Sequence, residues 1–119
     1  MKNSLTAAEF SAVFETGRSA FVFPIKLIAA ESSPAAAIKT GFSVPKRLVK
    51  KAVYRNRLKR QMRAAFQKNE IVLRETFSNF NKNFNLIFVY CDKKPEVSFS
   101  VVEEAILGNV KALVQNSKS

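Results

Sequence analysis

Residues 54–66 read YRNRLKRQMRAAF, and they determine how the rest of the chain is interpreted. On a helix with about 100° per residue, one arc of about 120° holds the apolar side chains, which are Tyr54, Leu58, Met62, Ala65 and Phe66. The opposite arc holds Asn56, Arg57, Lys59, Arg60 and Arg63, and Lys51 and Arg55 border or interrupt the apolar arc. The pattern predicts an amphipathic helix over Val49–Lys68 that packs its apolar side on a sheet and turns its basic side outward.

The positive charge of the chain is concentrated in one segment. The 119 residues include 20 Lys and Arg against 9 Asp and Glu, a net charge of +11. Residues 32–69 contain no acidic residue, and their basic residues are Lys39, Lys46, Arg47, Lys50, Lys51, Arg55, Arg57, Lys59, Arg60, Arg63 and Lys68. The remaining basic residues are matched in number by the acidic ones. A block of one sign within a foldable sequence indicates a face that binds a polyanion.

The elements before the basic helix are a helix and two strand-like segments. Thr6 and Glu9 fit a capping box at the start of the first helix, and Gly17 is its expected end. Ala20–Ala30 reads as a strand, but Pro24 cannot donate to a ladder. The segment is therefore an edge strand, carries a bulge, or is divided by Pro24 into two strands. Ala36–Val44 is expected to pair with it as an antiparallel hairpin.

The elements after the basic helix complete an α+β prediction. Leu86–Cys91 is a short apolar run, typical of a central strand buried on both faces. The last helix is predicted to begin near Ser98 or Ser100, with a buried stripe of Val102, Ile106, Val110, Leu113 and Val114. The order α-β-β-(β)-α-β-α predicts a sandwich in which helices pack on a small mixed sheet. The length allows one domain over residues 1–119, with a loose tail at 116–119.

The side chains available argue against catalysis by the protein alone. The chain has no histidine, three glycines and one cysteine, Cys91, and its basic segment lacks the carboxylates of a metal cage. We therefore predict no catalytic residue, no metal ligand and no cofactor bound by the protein alone. A single cysteine fits a reducing compartment, so a cytoplasmic location is expected. No apolar run is long enough to cross a bilayer.

RNA is the partner that the basic helix fits best. A membrane-surface helix needs free apolar side chains, whereas Tyr54, Leu58 and Met62 are expected in the core. Readout of duplex DNA usually comes with dimer symmetry or a helix-turn-helix, and neither is evident. Arginine forks match phosphate oxygens and stack on bases, and Asn56 can bond a 2′-hydroxyl or a base edge. Phe10, Phe14 and the Phe residues of the first strand are either core or platforms for single-stranded bases.

The segment Arg55-Asn56-Arg57, followed by Leu58-Lys59-Arg60 and Arg63, resembles the signature of the bacterial ribonuclease P protein component. Residues 10–17 are similar to the first helix of that family, and residues 41–47 resemble the strand that leads into its basic helix. Lys51-Ala52-Val53 before the motif and Ala65-Phe66 after it also fit. The match is specific from Ser43 to Phe66 and loose elsewhere.

The resemblance implies a non-catalytic protein subunit of ribonuclease P, the endonuclease that removes the 5′ leader of precursor tRNA. The RNA subunit is expected to carry the active site and its Mg²⁺, and the expected partners are that RNA and precursor tRNA with its leader. A fold like a ribosomal-protein domain, with a left-handed β-α-β crossover, is also implied. The implied RNA-binding residues are Lys46, Arg47, Lys50, Lys51, Arg55, Asn56, Arg57, Lys59, Arg60 and Arg63, and the implied leader-cleft residues are Phe10, Phe14 and Arg18.

Two other functions remain open from the residues. A non-enzymatic RNA-binding protein, such as a ribosomal or RNA-chaperone factor, would also bind RNA in a salt-sensitive way. A self-sufficient nuclease would cleave RNA without an added RNA subunit.

Overall fold

A computed structural model describes residues 5–31, 38–78 and 84–117. Within those ranges the elements, in chain order, are α1 (Ala7–Thr16), β1 (Arg18–Val22), β2 (Ile25–Glu31), β3 (Lys39–Ser43), α2 (Ala52–Lys68), α3 (Glu70–Ser78), β4 (Phe84–Tyr90) and α4 (Phe99–Ser117). The predicted α+β class and the basic helix are confirmed, but the helix begins at Ala52 and not at Val49, because Val49 belongs to a turn closed by the Pro45 carbonyl. In the described part of the chain, no helix is long and apolar enough to span a membrane.

The four strands form one mixed sheet in the order β1-β2-β4-β3. β2 is antiparallel to both β1 and β4, whereas β3 runs parallel to β4. β4 lies inside the sheet and is buried on both faces. Leu86, Phe88 and Tyr90 face one core cluster, while Ile87 and Val89 face the other. The predicted central strand is therefore confirmed.

The predicted antiparallel hairpin between residues 20–30 and 36–44 is wrong. The chain turns at Phe23–Pro24, so the two halves of the first segment pair with each other, with Val22 opposite Ile25. The alternative in which Pro24 divides that segment is confirmed. The free edge of β2 is then occupied by β4, which leaves β3 to pair with the far side of β4. The connection of that expected hairpin, after Glu31, lies outside the described residues.

Helices cover the two faces of the sheet unequally. α2, α3 and α4 pack on one face, where Leu58, Met62, Phe77 and Ile106 belong to the larger core cluster. α1 packs on the other face through Val13, which meets Ile28, Ile87 and Val89. A helix of 10 residues is too short to cover a four-stranded sheet, so part of that second face stays open. β3 and β4 are joined by the segment that contains α2 and α3, and the handedness of this crossover stays a prediction.

Helix α3 is missing from the sequence prediction. Its buried contacts come from Leu73 and Phe77, which are four residues apart, while Ile71 and Val72 are exposed. One i, i+4 apolar pair in nine residues is too short a pattern to identify a helix. Asn69 ends α2, and its carbonyl accepts the Leu73 amide, so the chain continues directly into the new helix.

The start of α4 matches the first of its two predicted alternatives, whereas its end lies beyond the predicted one. The helix begins after Ser98, whose Oγ accepts the Val101 amide, and the alternative start at Ser100 is wrong. The stripe of Val102, Ile106, Val110 and Leu113 is buried, and Val114 is half-buried at its edge. The helix continues to Ser117, two residues into the segment predicted as a tail, and residues 118–119 lie outside the described part.

The first helix begins as predicted but ends for a different physical reason. Thr6 Oγ1 accepts the Glu9 amide, and the Glu9 carboxylate accepts the Thr6 amide, which completes the capping box. Gly17 ends the helix with φ −74° and ψ 152°, an extended conformation open to any residue. A Cβ at Gly17 would lie 2.5 Å from the Val13 carbonyl oxygen and 2.7 Å from Ile28 Cγ2. Close packing therefore requires glycine here.

Replacing Gly17 by alanine is expected to lower the free energy of unfolding by about 1–3 kcal/mol, because the added methyl overpacks a contact that includes backbone. Chemical denaturation measures the change. Gly108→Ala is the matched control. Its new Cβ would lie 3.3 Å from the side chain of Val22, and removing glycine from a helix interior is expected to offset that contact. Equal stability losses in the two variants would contradict the packing role of Gly17.

Candidate nucleic-acid interface

The two sides of α2 are separated as the sequence predicts. Leu58 and Met62 are 0% exposed, and Ala65 and Phe66 are buried beside them. Asn56, Arg57, Arg60 and Arg63 lie on the exposed side. The helix is therefore fixed by its apolar side while its arginines face solvent.

A tight turn adds four more cations at the start of the helix. The carbonyl of Pro45 accepts the amides of both Leu48 and Val49, and the buried side chain of Val49 anchors the turn in the core. The exposed side chains around it are Lys46, Arg47, Lys50 and Lys51. Together with the exposed Asn56, Arg57, Arg60 and Arg63 of α2, we call these residues the basic strip. The amino-terminal end of a helix also carries positive charge, so nothing in the helix itself offsets these cations.

Arg55 differs from the other arginines of the motif. Its side chain is half-buried, and Nη1 donates to the carbonyl oxygens of Val49 at 3.0 Å and Lys50 at 2.7 Å. Its position at the border of the apolar arc explains why the guanidinium turns inward. The structure therefore places Arg55 beneath the basic strip, where it stabilises the turn. Lys59 is also half-buried, at the edge of the exposed side.

Two arginines of the strip are oriented by aromatic rings. Arg57 Cζ lies 5.0 Å from the centroid of Tyr54, and its Nη2 donates to the carbonyl of Pro95 at 3.3 Å. Arg63 Cζ lies 5.6 Å from the centroid of Phe42. Both side chains remain exposed. Because these contacts restrict the side chains, less conformational entropy is lost when the guanidinium groups bind an anion.

Carboxylates do not neutralise the basic strip. Three ion pairs among the described residues join Lys39 to Glu9, Lys68 to Glu103, and Arg74 to Glu70, and all six groups lie outside the strip. The pKa of Glu103 is lowered by hydrogen bonds from Asn69 and then Lys68. The Thr6 amide and then Lys39 lower that of Glu9. Because these carboxylates are paired with groups outside the strip, the cations of the strip remain available to an external anion.

A cleft of about 420 Å³ lies beside the strip, between α1, the open face of the sheet and the turn after Pro45. Its walls include Phe14, which is 49% exposed, and the guanidinium-bearing Arg47. The other lining residues are Gly17, Ser19, Lys26, Ile28, Ser43, Pro45, Leu48, Val89 and Cys91. Arg47 belongs to both the cleft and the basic strip, so the two surfaces are continuous.

The three predicted leader-cleft residues lie in different environments. Phe14 lines the cleft. Phe10 is half-buried against the core cluster of Val13, and its ring centroid is 5.5 Å from that of Phe14, so it supports the cleft wall from behind. Arg18 is paired with Ala29, whose side chain enters the larger core cluster. Residues directly opposite each other in an antiparallel pair project from the same face of the sheet. The Arg18 side chain therefore leaves β1 on the face opposite the cleft, and Arg18 is not among the residues that line the cleft.

Sequence reasoning missed several residues of the cleft face. Lys26 is the one charged residue in Ile25–Ala30, and that interruption of an apolar run was the available signal. Lys26 is paired with Phe21, so both side chains point to the cleft face. Phe21 and Phe23 are 57% and 62% exposed and form an edge-to-face pair at the β1–β2 turn. Cys91 is half-buried in the cleft wall, where burial within a strand was expected.

The described residues hold no group of three or more His, Cys, Asp or Glu side chains arranged to bind a metal ion. Beside the apolar Ile28, Leu48 and Val89 of the cleft, the side chains at the strip and the cleft include cationic, amide, aromatic and small polar groups. Such groups bind phosphates, bases and 2′-hydroxyls.

The chain is similar in sequence and in fold to known proteins. A family model described as Ribonuclease P matches residues 2–114. A search of the curated proteins finds no match. Among solved structures, the RNase P protein of Staphylococcus aureus has a TM-score of 0.75 at 17% identity, covering 95% of each chain. The RNase P protein of Thermotoga maritima has a TM-score of 0.71 at 24% identity, covering 88% of this chain and 92% of that one.

The structural likenesses establish a shared fold, and the family match covers almost the whole chain, including the basic strip and the cleft. This chain is therefore a member of the bacterial ribonuclease P protein family.

Proposed function

We propose that this chain is the protein subunit of a ribonuclease P, in which it binds the catalytic RNA and the 5′ leader of precursor tRNA. The observation that carries the proposal is the basic strip, an exposed set of cations without an internal ion pair among the described residues, which is continuous with an aromatic-walled cleft through Arg47. In this assignment the RNA subunit and its Mg²⁺ supply the cleavage chemistry. The residues of this chain bind and orient the RNA.

The strip is suited to a folded RNA. Its arginines present planar donor groups to phosphate oxygens, and Asn56 lies among them on the same exposed face. A folded RNA concentrates phosphates on a surface, and the uncompensated cations of the strip lower the electrostatic cost of bringing a second anionic RNA beside it.

The cleft is suited to an unpaired strand. Phe14 offers an exposed aromatic face, and Lys26 and Arg47 lie at the walls as phosphate partners. Stacking on an aromatic side chain is tolerant of base identity, which is what a leader of variable sequence requires. Phe21 and Phe23 extend this surface towards the β1–β2 turn.

The direct test adds the purified protein to a ribonuclease P RNA and precursor tRNA at low Mg²⁺. We expect cleavage to rise above the rate of the RNA alone, and RNA affinity to fall with salt at a log–log slope of about −4 if roughly five phosphates are neutralised. The double variant Lys51→Ala/Arg60→Ala should bind more weakly and flatten the slope by about 1–2, because two phosphate contacts are lost.

Two variants serve as controls for that measurement. Lys111→Ala removes one exposed cation of α4 outside the strip, so its slope should match the wild type.

Arg55→Ala should instead lower the free energy of unfolding by about 1–3 kcal/mol, because two carbonyls of the turn lose a charged donor. Binding of RNA without any rise in cleavage would favour a general RNA-binding protein, and cleavage without added RNA subunit would favour a nuclease.

The variant Phe14→Ala tests the cleft. We expect it to reduce the affinity for leader-bearing precursor tRNA about tenfold in the complex with the RNA subunit, because one base loses its stacking partner. Mature tRNA without a leader should bind with unchanged affinity. Phe99→Ala, which removes a partly exposed phenylalanine from α4, is the matched control. An equal loss for mature tRNA would place Phe14 outside the leader path.

A further inference from the structure

The loop between β4 and α4 lies against the exposed side of α2 and is fixed there by three side-chain donors. Tyr90 Oη donates to the carbonyl of Lys94 at 2.6 Å, Arg57 Nη2 to that of Pro95 at 3.3 Å, and Gln61 Nε2 to that of Val97 at 3.0 Å. Burial, and then the charge of Asp92, raises the pKa of Tyr90 to about 12, so its hydroxyl keeps its proton at neutral pH. The loop is therefore held at three of its residues, to the end of β4 through Tyr90 and to α2 through Arg57 and Gln61.

A shallow pocket of about 330 Å³ lies between this loop and α2. It is lined by Arg57, Gln61, Glu96 and Val97, and we call it the Glu96 pocket. Arg57 and Glu96 line the same pocket, yet no ion pair joins them in the described part of the chain. The pocket thus presents a cationic donor, Arg57, and an anionic acceptor, Glu96, that are not paired with each other.

The carboxylate of Glu96 is unexpected at the edge of a surface that binds phosphates, because it repels them. Within an RNA, the groups that donate hydrogen bonds to a carboxylate are base edges and 2′-hydroxyls. Guanine presents two adjacent donors, N1–H and the N2 amino group, which match the two oxygens of a carboxylate. Its neighbouring O6 is an acceptor for an arginine, whereas the other bases present a single N–H group or amino group on that edge.

We propose that the Glu96 pocket receives an unpaired guanine of the RNA bound along the basic strip. Glu96 accepts from N1–H and the N2 amino group, Arg57 donates to O6, and Val97 contacts the ring. The inference rests on the proposed function, since it assumes that RNA lies along α2. It adds a base-specific contact to a surface that otherwise reads phosphates and shape.

The test uses two fluorescently labelled RNA decamers, one of uridines and one with guanosine at the two central positions. Wild-type protein should bind the guanosine decamer at least fivefold more tightly in a fluorescence anisotropy titration. In Glu96→Gln that preference should fall to less than twofold, and affinity for the uridine decamer should stay equal or rise, because a negative charge is lost. Replacing guanosine by inosine, which lacks the N2 amino group, should weaken wild-type binding.

The sign of the change separates this site from plain electrostatics. If Glu96 only repels RNA, Glu96→Gln binds both decamers more tightly by the same factor, and the proposal is overturned. Absence of a guanosine preference in the wild type also overturns it. Glu104→Gln makes the same charge change at an exposed residue of α4 outside the pocket, and it should retain the preference.

Failure of this inference is distinguishable from failure of the proposed function. The decamer preference is measured without the RNA subunit, whereas the proposed function is judged by the rise in cleavage of precursor tRNA. Glu96→Gln should still fold, since the loop is held through the carbonyls of Lys94, Pro95 and Val97 and not through the Glu96 side chain.

Discussion

The burial of one side of α2 is the constraint on which the rest of the structure depends. Leu58 and Met62 lose all contact with solvent, and each contributes about 1.5–3 kcal/mol by burial. Repulsion between neighbouring like charges on a helix costs only a few tenths of a kcal/mol per pair. Burial therefore outweighs the repulsion, and the helix can hold a row of cations outward although no described carboxylate forms an ion pair with them. The repulsion that remains among these cations is relieved when the surface binds an anion.

The features that could be predicted from sequence are those with a strong local signal. The capping box at Thr6, the two-sided pattern of 54–66 and the apolar run at 86–91 each fix an element within a few residues. The pairing of strands depends on contacts far apart in the chain, so the expected hairpin failed although both segments are strands. At the candidate site, helical angles identified the exposed arginines. They did not indicate that Arg55, at the boundary of the arc, bonds the carbonyls of its own turn.

The cleft could be anticipated only in part, because it is a product of assembly. The cleft is present because α1 covers only part of the sheet face on which it packs. The position of α1 depends on the ion pair between Glu9 and Lys39 and on the burial of Val13 in the core. The exposed Phe14 and the supporting Phe10 are four residues apart on one helix, so spacing alone could not distinguish their roles. Arg18 is one residue from Gly17 in the wall, yet strand alternation sends it to the other face.

The strand order also has a consequence for synthesis on the ribosome. β3 pairs with β4 alone, and β4 fills the gap between β2 and β3. When a nascent chain has emerged only through residue 68, its cationic segment is already exposed, but the strand β4 on which α2 packs has not yet been made. Until residues 84–90 follow, the apolar side of that segment lacks Leu86 and Phe88, on which it packs in the folded protein. The core beneath α2 is therefore complete only after β4, and then α4, have joined it.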